Sequence, residues 1–351
     1  MTHPYENLES RAFWRSAAAE PDPLAIRGVW KPKFAIQPDD PVSTAGSCFA
    51  QHIGRALSER GFEWCDAEPA PSCLTPEDRQ RFNYGIFSFR TANIYTTAML
   101  RQWMEWGLGE TAPPDEVWKE NGRFFDPFRP AIEPGGFESA EELLLSRMAT
   151  ARAVRRAVKR SAVFTFTLGL TEGWINREHG YVYAACPGTL QGRFDAKLHA
   201  FRNFTQSQVL ADLTAAFDMA REINPDIRFL LTVSPVPLIA TASGEHALVA
   251  TTYSKSVLRA AAGEYVQTRD YADYFPSYEL ITGAPFRARF YEDNLRSVTP
   301  QGVAFVMDAF FRCLRETHDL REPVKREKKP AEKTQDDIVC EEDVLAQFDD
   351  G

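Results

Sequence analysis

The sequence predicts an α/β fold, a parallel sheet with helices on both faces, carried by a single domain of about residues 41–320. Three observations predict it. Short apolar strands at 41–45, 162–168 and 227–233 alternate with segments of helical periodicity, the pattern of βα units. The strands read as buried on both faces, as strands of parallel sheets are. Each ends in a breaker, Gly46, Gly169 or Ser234-Pro235, before the chain turns.

Taken in order, residues 1–40 mix Tyr5, Phe13, Trp14, Trp30 and Phe34 with Pro21, Pro23, Pro32 and Pro38, which predicts an irregular arm wrapping the domain. After the strand at 41–45 and the turn at Gly46, Phe49, Ile53 and Leu57 recur at helical spacing up to a stop at Gly61. Residues 66–90, with Pro69, Pro71 and Pro76, read as loop, and 92–107 as helix. The insertion 109–138 sets Pro113, Pro114, Pro127, Pro130 and Pro134 among Trp118, Phe124, Phe125 and Phe128. So long a loop is either a lid or binding wall, or an Ω-like cover over core. A helix over 139–159 ends in Arg152, Arg155, Arg156, Lys159 and Arg160, as suits the negative end of a helix dipole. The strand at 162–168 follows, and then a small hairpin arm at 181–186 with its turn at 178–180. A helix at 206–223 stops at Asn224-Pro225, the strand at 227–233 follows, and helices cover 252–266 and 300–317. The tail 321–351 changes character. Its first part, to 337, has almost no large apolar residue and is expected to be disordered. Residues 338–348 are either a short acidic amphipathic helix that docks in cis or on a partner, or a fraying end.

Composition excludes several classes. Apolar residues at 44% and charged residues at 25% permit a sizeable core, while a net charge of -9 gives no basic face for nucleic acid. The N-terminus lacks the basic start and apolar run of a secretory signal, and no stretch of about 18 apolar residues offers a membrane span. Cys48, Cys65, Cys73, Cys186, Cys313 and Cys340 show no CxxC spacing and read as reduced thiols, not as a disulfide frame or zinc site, so a cytoplasmic location is expected. With no P-loop, GxGxxG or HExxH, no cofactor or metal is implied.

Ligands of an open parallel sheet bind beyond the carboxyl ends of its strands, where the strand order reverses. After the first strand stands Gly46-Ser47-Cys48-Phe49-Ala50. At the first turn of a helix, the Ser47 hydroxyl can attack an acyl carbon while its own N–H and its neighbour's hold the oxyanion. Ser47 is otherwise a helix N-cap. Cys48 is a rival nucleophile or a small buried hydrophobe.

The stretch TAGSCFAQHIGRAL resembles the signature of the GSCFA family. NIYTTAMLRQW, TLGLTEGW, LTVSPVPL, YSKSVLRA, YFPSYE and RSVTPQGV resemble that family's blocks in its order, so the resemblance covers roughly residues 1–320. The family is similar to the SGNH hydrolases. That implies a three-layer α/β/α flavodoxin-like sandwich, with Ser47 as nucleophile because the GSC turn replaces the GDS block. The resemblance sets Thr91-Ala92-Asn93 at the second block, with Ala92 where a glycine N–H would join the oxyanion hole. It sets Gly169-Leu170-Thr171-Glu172 at the third, with Thr171 where asparagine would donate; Glu172 is a site carboxylate or a helix-start residue. In place of D-x-x-H the chain has Asp293 and then Arg296. Arginine stays protonated and cannot be a general base. The base is then His52, His246 or no histidine at all, and His199 is structural. Arg296 favours an anionic or carboxylate-bearing substrate. Asp293 pairs with Arg296 at i, i+3 or with a histidine from elsewhere. The resemblance implies a serine esterase or O-acyltransferase acting on a small acyl ester on a carbohydrate. The alternative is a non-catalytic glycan- or anion-binding protein that keeps the cleft and recognises its ligand through Arg296 and the 109–138 loop. Neither reading calls for nucleic acid or a membrane.

Overall fold

Along the computed structural model, which describes residues 3–109, 111–323 and 340–349, the elements follow in this order. Strand β1 (Val42–Gly46) leads to α1 (Ala50–Glu59), α2 (Pro76–Arg81) and α3 (Thr97–Leu108). A hairpin of β2 (Trp118–Glu120) and β3 (Arg123–Phe125) precedes α4 (Ala140–Arg160) and β4 (Val163–Leu168). Then come β5 (Glu172–Asn176), β6 (Val182–Tyr183), β7 (His199–Asn203), α5 (Gln206–Ile223) and β8 (Arg228–Val233). Helix α6 (Ala247–Gln267), β9 (Ala272–Tyr274), α7 (Ser277–Thr282) and α8 (Pro300–Thr317) complete the domain, and a 3-10 helix spans Glu341–Phe348.

The central sheet has the order β1-β4-β8-β9, parallel throughout. Side chains alternate across it. Phe164, Phe166 and Leu168 of β4 and Phe229, Leu231 and Val233 of β8 join a core with α3, α4, α5 and α6. Val163 and Leu230 face the other way, into a core with α1 and α8, and the N-terminal Ile26, Trp30 and Ile36 close that side. Helices therefore cover both faces, as the sequence predicts. On the edge of β1 away from β4, Trp64 bridges Val42 in parallel. The chain thus leaves β1 toward one side and returns through β4 on the other, and this crossing point opens a crevice at the carboxyl ends of β1 and β4.

Four local expectations change. The loop at 66–90 contains α2, with Pro76 in its first turn and the Thr75 hydroxyl accepting from Asp78 N at 3.1 Å. Helix α3 begins at Thr97, not 92, because residues 91–96 run irregularly beneath the end of β1, where Ile94 N donates to Gly46 O at 2.8 Å. Helix α6 begins at Ala247, five residues before the expected 252, capped by His246. The hairpin arm belongs to a three-stranded sheet of order β6-β5-β7. Glu172, read from the sequence as either a site carboxylate or a helix-start residue, opens strand β5.

Insertion 109–138 is a cover over core. Phe128 and Ile132 are buried, and the Phe128 ring meets the edge of Trp106 and stacks on Tyr183. Asp126 is held by Arg129 Nε at 2.8 Å and by Arg147 Nη2 of α4 at 2.9 Å, with all three side chains at 0% exposure. Arg147 also donates to the carbonyls of Pro114 at 2.5 Å and Glu116 at 2.8 Å, which ties the insertion to the helix.

Candidate functional site at the carboxyl ends of the sheet

Gly46 makes the sharp exit from β1. Its φ is +131°, and a Cβ there would lie 2.4 Å from Thr167 O, so only glycine lets β1 close against β4 and still turn. Ser47 follows. Its N–H donates to Thr167 O at 3.1 Å, extending the ladder, so that N–H is committed to the sheet. The N-cap of α1 is Phe49, without a side-chain cap bond, and Ser47 Oγ is buried with no hydrogen-bond partner among the described residues. The capping role expected as the alternative is therefore not the one Ser47 fills. Neither imidazole expected as a base bonds to it. His52 lies edge-on to the Phe49 ring, and burial, aided by Arg55, pushes it down to about 4. His246 is exposed and uses Nδ1 to accept from Leu248 N at 3.2 Å. Asp293 is exposed on the loop before α8. His199 is buried and accepts from Asp195 N at 3.0 Å.

Gly169 faces Ser47 directly. A Cβ on it would come 2.9 Å from Ser47 Cβ and 3.0 Å from Tyr95 O. Gly169→Ala is therefore expected to cost about 1–3 kcal/mol through overpacking, read as a lower urea midpoint with an unchanged slope. The Gly169 carbonyl accepts from Lys255 Nζ at 2.7 Å. Lys255 is buried on α6; burial brings its ammonium down to about 8, against the opposing pull of Glu342 and Cys48. Lysine 255 is the residue the reading of the sequence missed. Its signal was a lysine three residues before Leu258 and seven before Ala262, on the stripe that α6 buries.

Ala92 sits at φ +59°, a left-handed conformation unusual for a residue with a Cβ, and this turns Asn93 toward the cleft. Asn93 N donates to Glu341 Oε1 at 3.5 Å, and its Nδ2 donates to Glu341 Oε2. Gln51 Nε2 donates to Asn93 Oδ1 at 3.5 Å, which orients the amide with its NH2 outward. Tyr95 Oη donates to the same Glu341 carboxylate at 3.0 Å. Thr171 is turned elsewhere: its N–H donates to Ser254 Oγ at 3.0 Å and its hydroxyl to Asn203 Oδ1 at 2.7 Å.

Glu341 belongs to the C-terminal segment 340–349, which docks across this crevice instead of fraying. Residues 324–339, where most of the expected disorder falls, lie outside the described residues. Arg296 binds Asp343 Oδ1 at 2.7 Å and approaches Glu342 Oε2 at 3.9 Å; these tail carboxylates, not Asp293, are its ion-pair partners among the described residues. Burial opposes the Arg296 charge, but Cys340, Asp343 and Glu342 outweigh it and hold its pKa above the usual value. Burial pushes the Glu342 carboxyl up to about 8 and raises that of Glu341 as well. Cys48 is buried; interaction with Cys340 and burial push its thiol well up, while the interaction with Cys48 brings Cys340 down to about 7. A cavity of about 220 Å³ lies between the segment and the small sheet, lined by Tyr95, Met99, Glu172, Trp174, Leu238 and Leu345 among others. Glu172 there accepts from Thr241 Oγ1 at 2.6 Å, and burial raises its carboxyl. No described residue of 109–138 lines the cavity.

The structure therefore gathers Ser47, Cys48, Asn93, Gly169, Lys255 and Arg296 around one acidic segment. Among the described residues no helix is long and apolar enough to cross a membrane, and no cluster of three or more His, Cys, Asp or Glu could hold a metal ion. The chain matches no curated protein. The GSCFA family profile matches residues 41–310, which contain every strand of the central sheet and each cleft residue except those of the tail, and the chain belongs to the GSCFA family.

Proposed function

We propose that the chain is an SGNH-like serine esterase or O-acyltransferase in which Ser47 is the nucleophile and Lys255 the general base. The observation that carries this is the Ser47 hydroxyl, buried and unpartnered among the described residues, at the switch point of the sheet and against the same glycine that Lys255 touches. An unsatisfied buried hydroxyl costs about 1–3 kcal/mol, and such groups persist where they have work to do. The strand crossing supports the finer fold reading: a segment beside β1, then β1, β4, β8 and β9, is the flavodoxin-like order.

In the proposed reaction Ser47 Oγ attacks the acyl carbon and its proton passes to the neutral amine of Lys255. The N–H and Nδ2 of Asn93, which already donate to the Glu341 carboxyl oxygens, stabilise the tetrahedral oxyanion. Collapse breaks the ester C–O bond, the departing alkoxide takes the proton from Lys255, and water or an acceptor hydroxyl reverses the sequence. Arg296 binds a carboxylate on the substrate. A carbohydrate as the alcohol partner is carried over from the resemblance to SGNH enzymes.

A second reading, a carboxylate-binding protein without catalysis, is favoured by the absence of a histidine at Ser47 and by the carboxylates already in the cleft. A fluorophosphonate probe separates the two. With Glu341→Gln to loosen the tail, the chain should be labelled, and Ser47→Ala in that background should abolish the label. Labelling that ignores Ser47, or none at all, leaves the binding reading.

A further inference from the structure

We propose that the crevice is a recognition site for an acidic peptide, and that residues 340–349 are a resident copy of that peptide, which closes the site until a peptide of like chemistry displaces it. The peptide site rests on the contacts of the segment alone; its control of acyl transfer rests on the Ser47 reading.

The crevice is complete without its occupant. Ser47, Asn93, Tyr95, Lys255 and Arg296 all lie within the family-matched residues 41–310, and the segment lies beyond them. Nor is the segment a piece of core. Neither hydrophobic core on the faces of the sheet includes any of its residues. Of Glu341–Phe348 only Glu341 is buried, and Ala346, Gln347 and Phe348 are exposed. Its departure therefore leaves both cores closed, which places it among the parts of a fold that open at low cost.

What holds it is polar and spaced along the chain. Glu341 fills the inner position. Asn93 N and Nδ2 and Tyr95 Oη donate to its carboxyl oxygens, and its own N–H donates back to Tyr95 Oη at 3.1 Å. Two residues on, at the mouth, Asp343 Oδ1 pairs with Arg296 Nη1 at 2.7 Å. Val344 and Leu345 then line the cavity against the small sheet, opposite Met99, Trp174 and Leu238. The crevice thus reads an acidic residue, a second acidic residue two positions later, and an apolar pair directly after it. A main-chain contact combined with charge-assisted bonds and a pocket for apolar side chains is how grooves recognise peptides. While the segment is seated, Glu341 occupies the Asn93 donors proposed for the oxyanion, so a substrate and the segment exclude each other.

The test uses the full chain and a fluorescein-labelled synthetic peptide of residues 341–349, followed by fluorescence anisotropy. Glu341→Gln with Asp343→Asn weakens the resident segment without touching the crevice. Hydrogen exchange across 340–349 should speed up about tenfold or more in this double variant, and the peptide should bind it about tenfold or more tighter than wild type, whose own segment competes. A peptide with Gln and Asn at the same two positions should bind the double variant about tenfold weaker, and Arg296→Met in that background should weaken the acidic peptide alike. The comparison of the two peptides on one protein stands even where Arg296→Met fails to fold. Equal peptide affinity for wild type and double variant, affinity indifferent to the two carboxylates, exchange that does not change, or no peptide binding at all would each overturn the site. Fluorophosphonate labelling of Ser47 on the same samples separates the two proposals. Peptide binding with an inert Ser47 removes the esterase and leaves the peptide site; labelling that is equally fast in wild type and double variant, with no peptide binding, does the opposite.

Discussion

Lys255→Met is expected to slow fluorophosphonate labelling of Ser47 by about 10²- to 10⁴-fold, the usual contribution of a general base. Methionine matches the length of the lysine stem and suits a buried site, so the main structural loss is one donor to Gly169 O, about 1 kcal/mol. Thermal unfolding checks that the fold persists. The pH profile gives a second reading. Lys255 must be neutral to accept a proton, and its pKa lies at about 8. Labelling of the Glu341→Gln chain should therefore fall about tenfold per unit below pH 8 and level off above it. The groups acting on this amine are Glu342 and Cys48, which raise its pKa, and Arg296, which lowers it. Glu342→Gln removes a raising charge and should move the onset of the plateau to lower pH. A profile flat from pH 6 to 9, with full activity in Lys255→Met, would falsify the assignment of the base.

Asp126→Asn is expected to give the largest loss of stability, about 3–5 kcal/mol, because it strands Arg129 and Arg147 as unpaired charges with no solvent exposure. Urea unfolding at pH 7 measures it. Burial alone would raise the Asp126 carboxyl, but Arg129 and Arg147 outweigh that and hold it below its ordinary value. With the folded pKa depressed, the stabilisation is complete above the pKa of the unfolded chain and is lost as pH falls through the folded value. The gap between wild type and Asp126→Asn should thus be the same at pH 7 and pH 5.5 and narrow only under acid conditions. Labelling at Ser47 should be unchanged while the variant remains folded, since no described residue of 109–138 lines the cleft cavity.

The parallel sheet was legible because its strands are short apolar runs closed by breakers, a pattern set by burial on two faces. Ser47 was legible from the same logic, since Gly46 marks where the backbone must turn within contact of β4. The short strands β5 and β7 were not, because three or four of the five residues in each are only partly buried and carry no alternating pattern. The start of α3 was misjudged because residues 92–96 contain good helix and strand formers, yet tertiary contacts at Gly46 and the turn at Ala92 hold them irregular. Lys255 hid in a segment recognised as a family block but weighed only for its helix. The tail was weighed both ways, and its docking depended on cations 44 and 85 residues before Cys340, Arg296 and Lys255, whose proximity no local pattern conveys.

Occupant and crevice are parts of one polypeptide, joined through residues 324–339. Closing and opening are then both first-order events, and the fraction of closed molecules is a ratio of two unimolecular rates. Diluting the protein a thousandfold leaves that fraction where it was, so a rival carboxylate must be supplied in excess of a neighbour that never diffuses away.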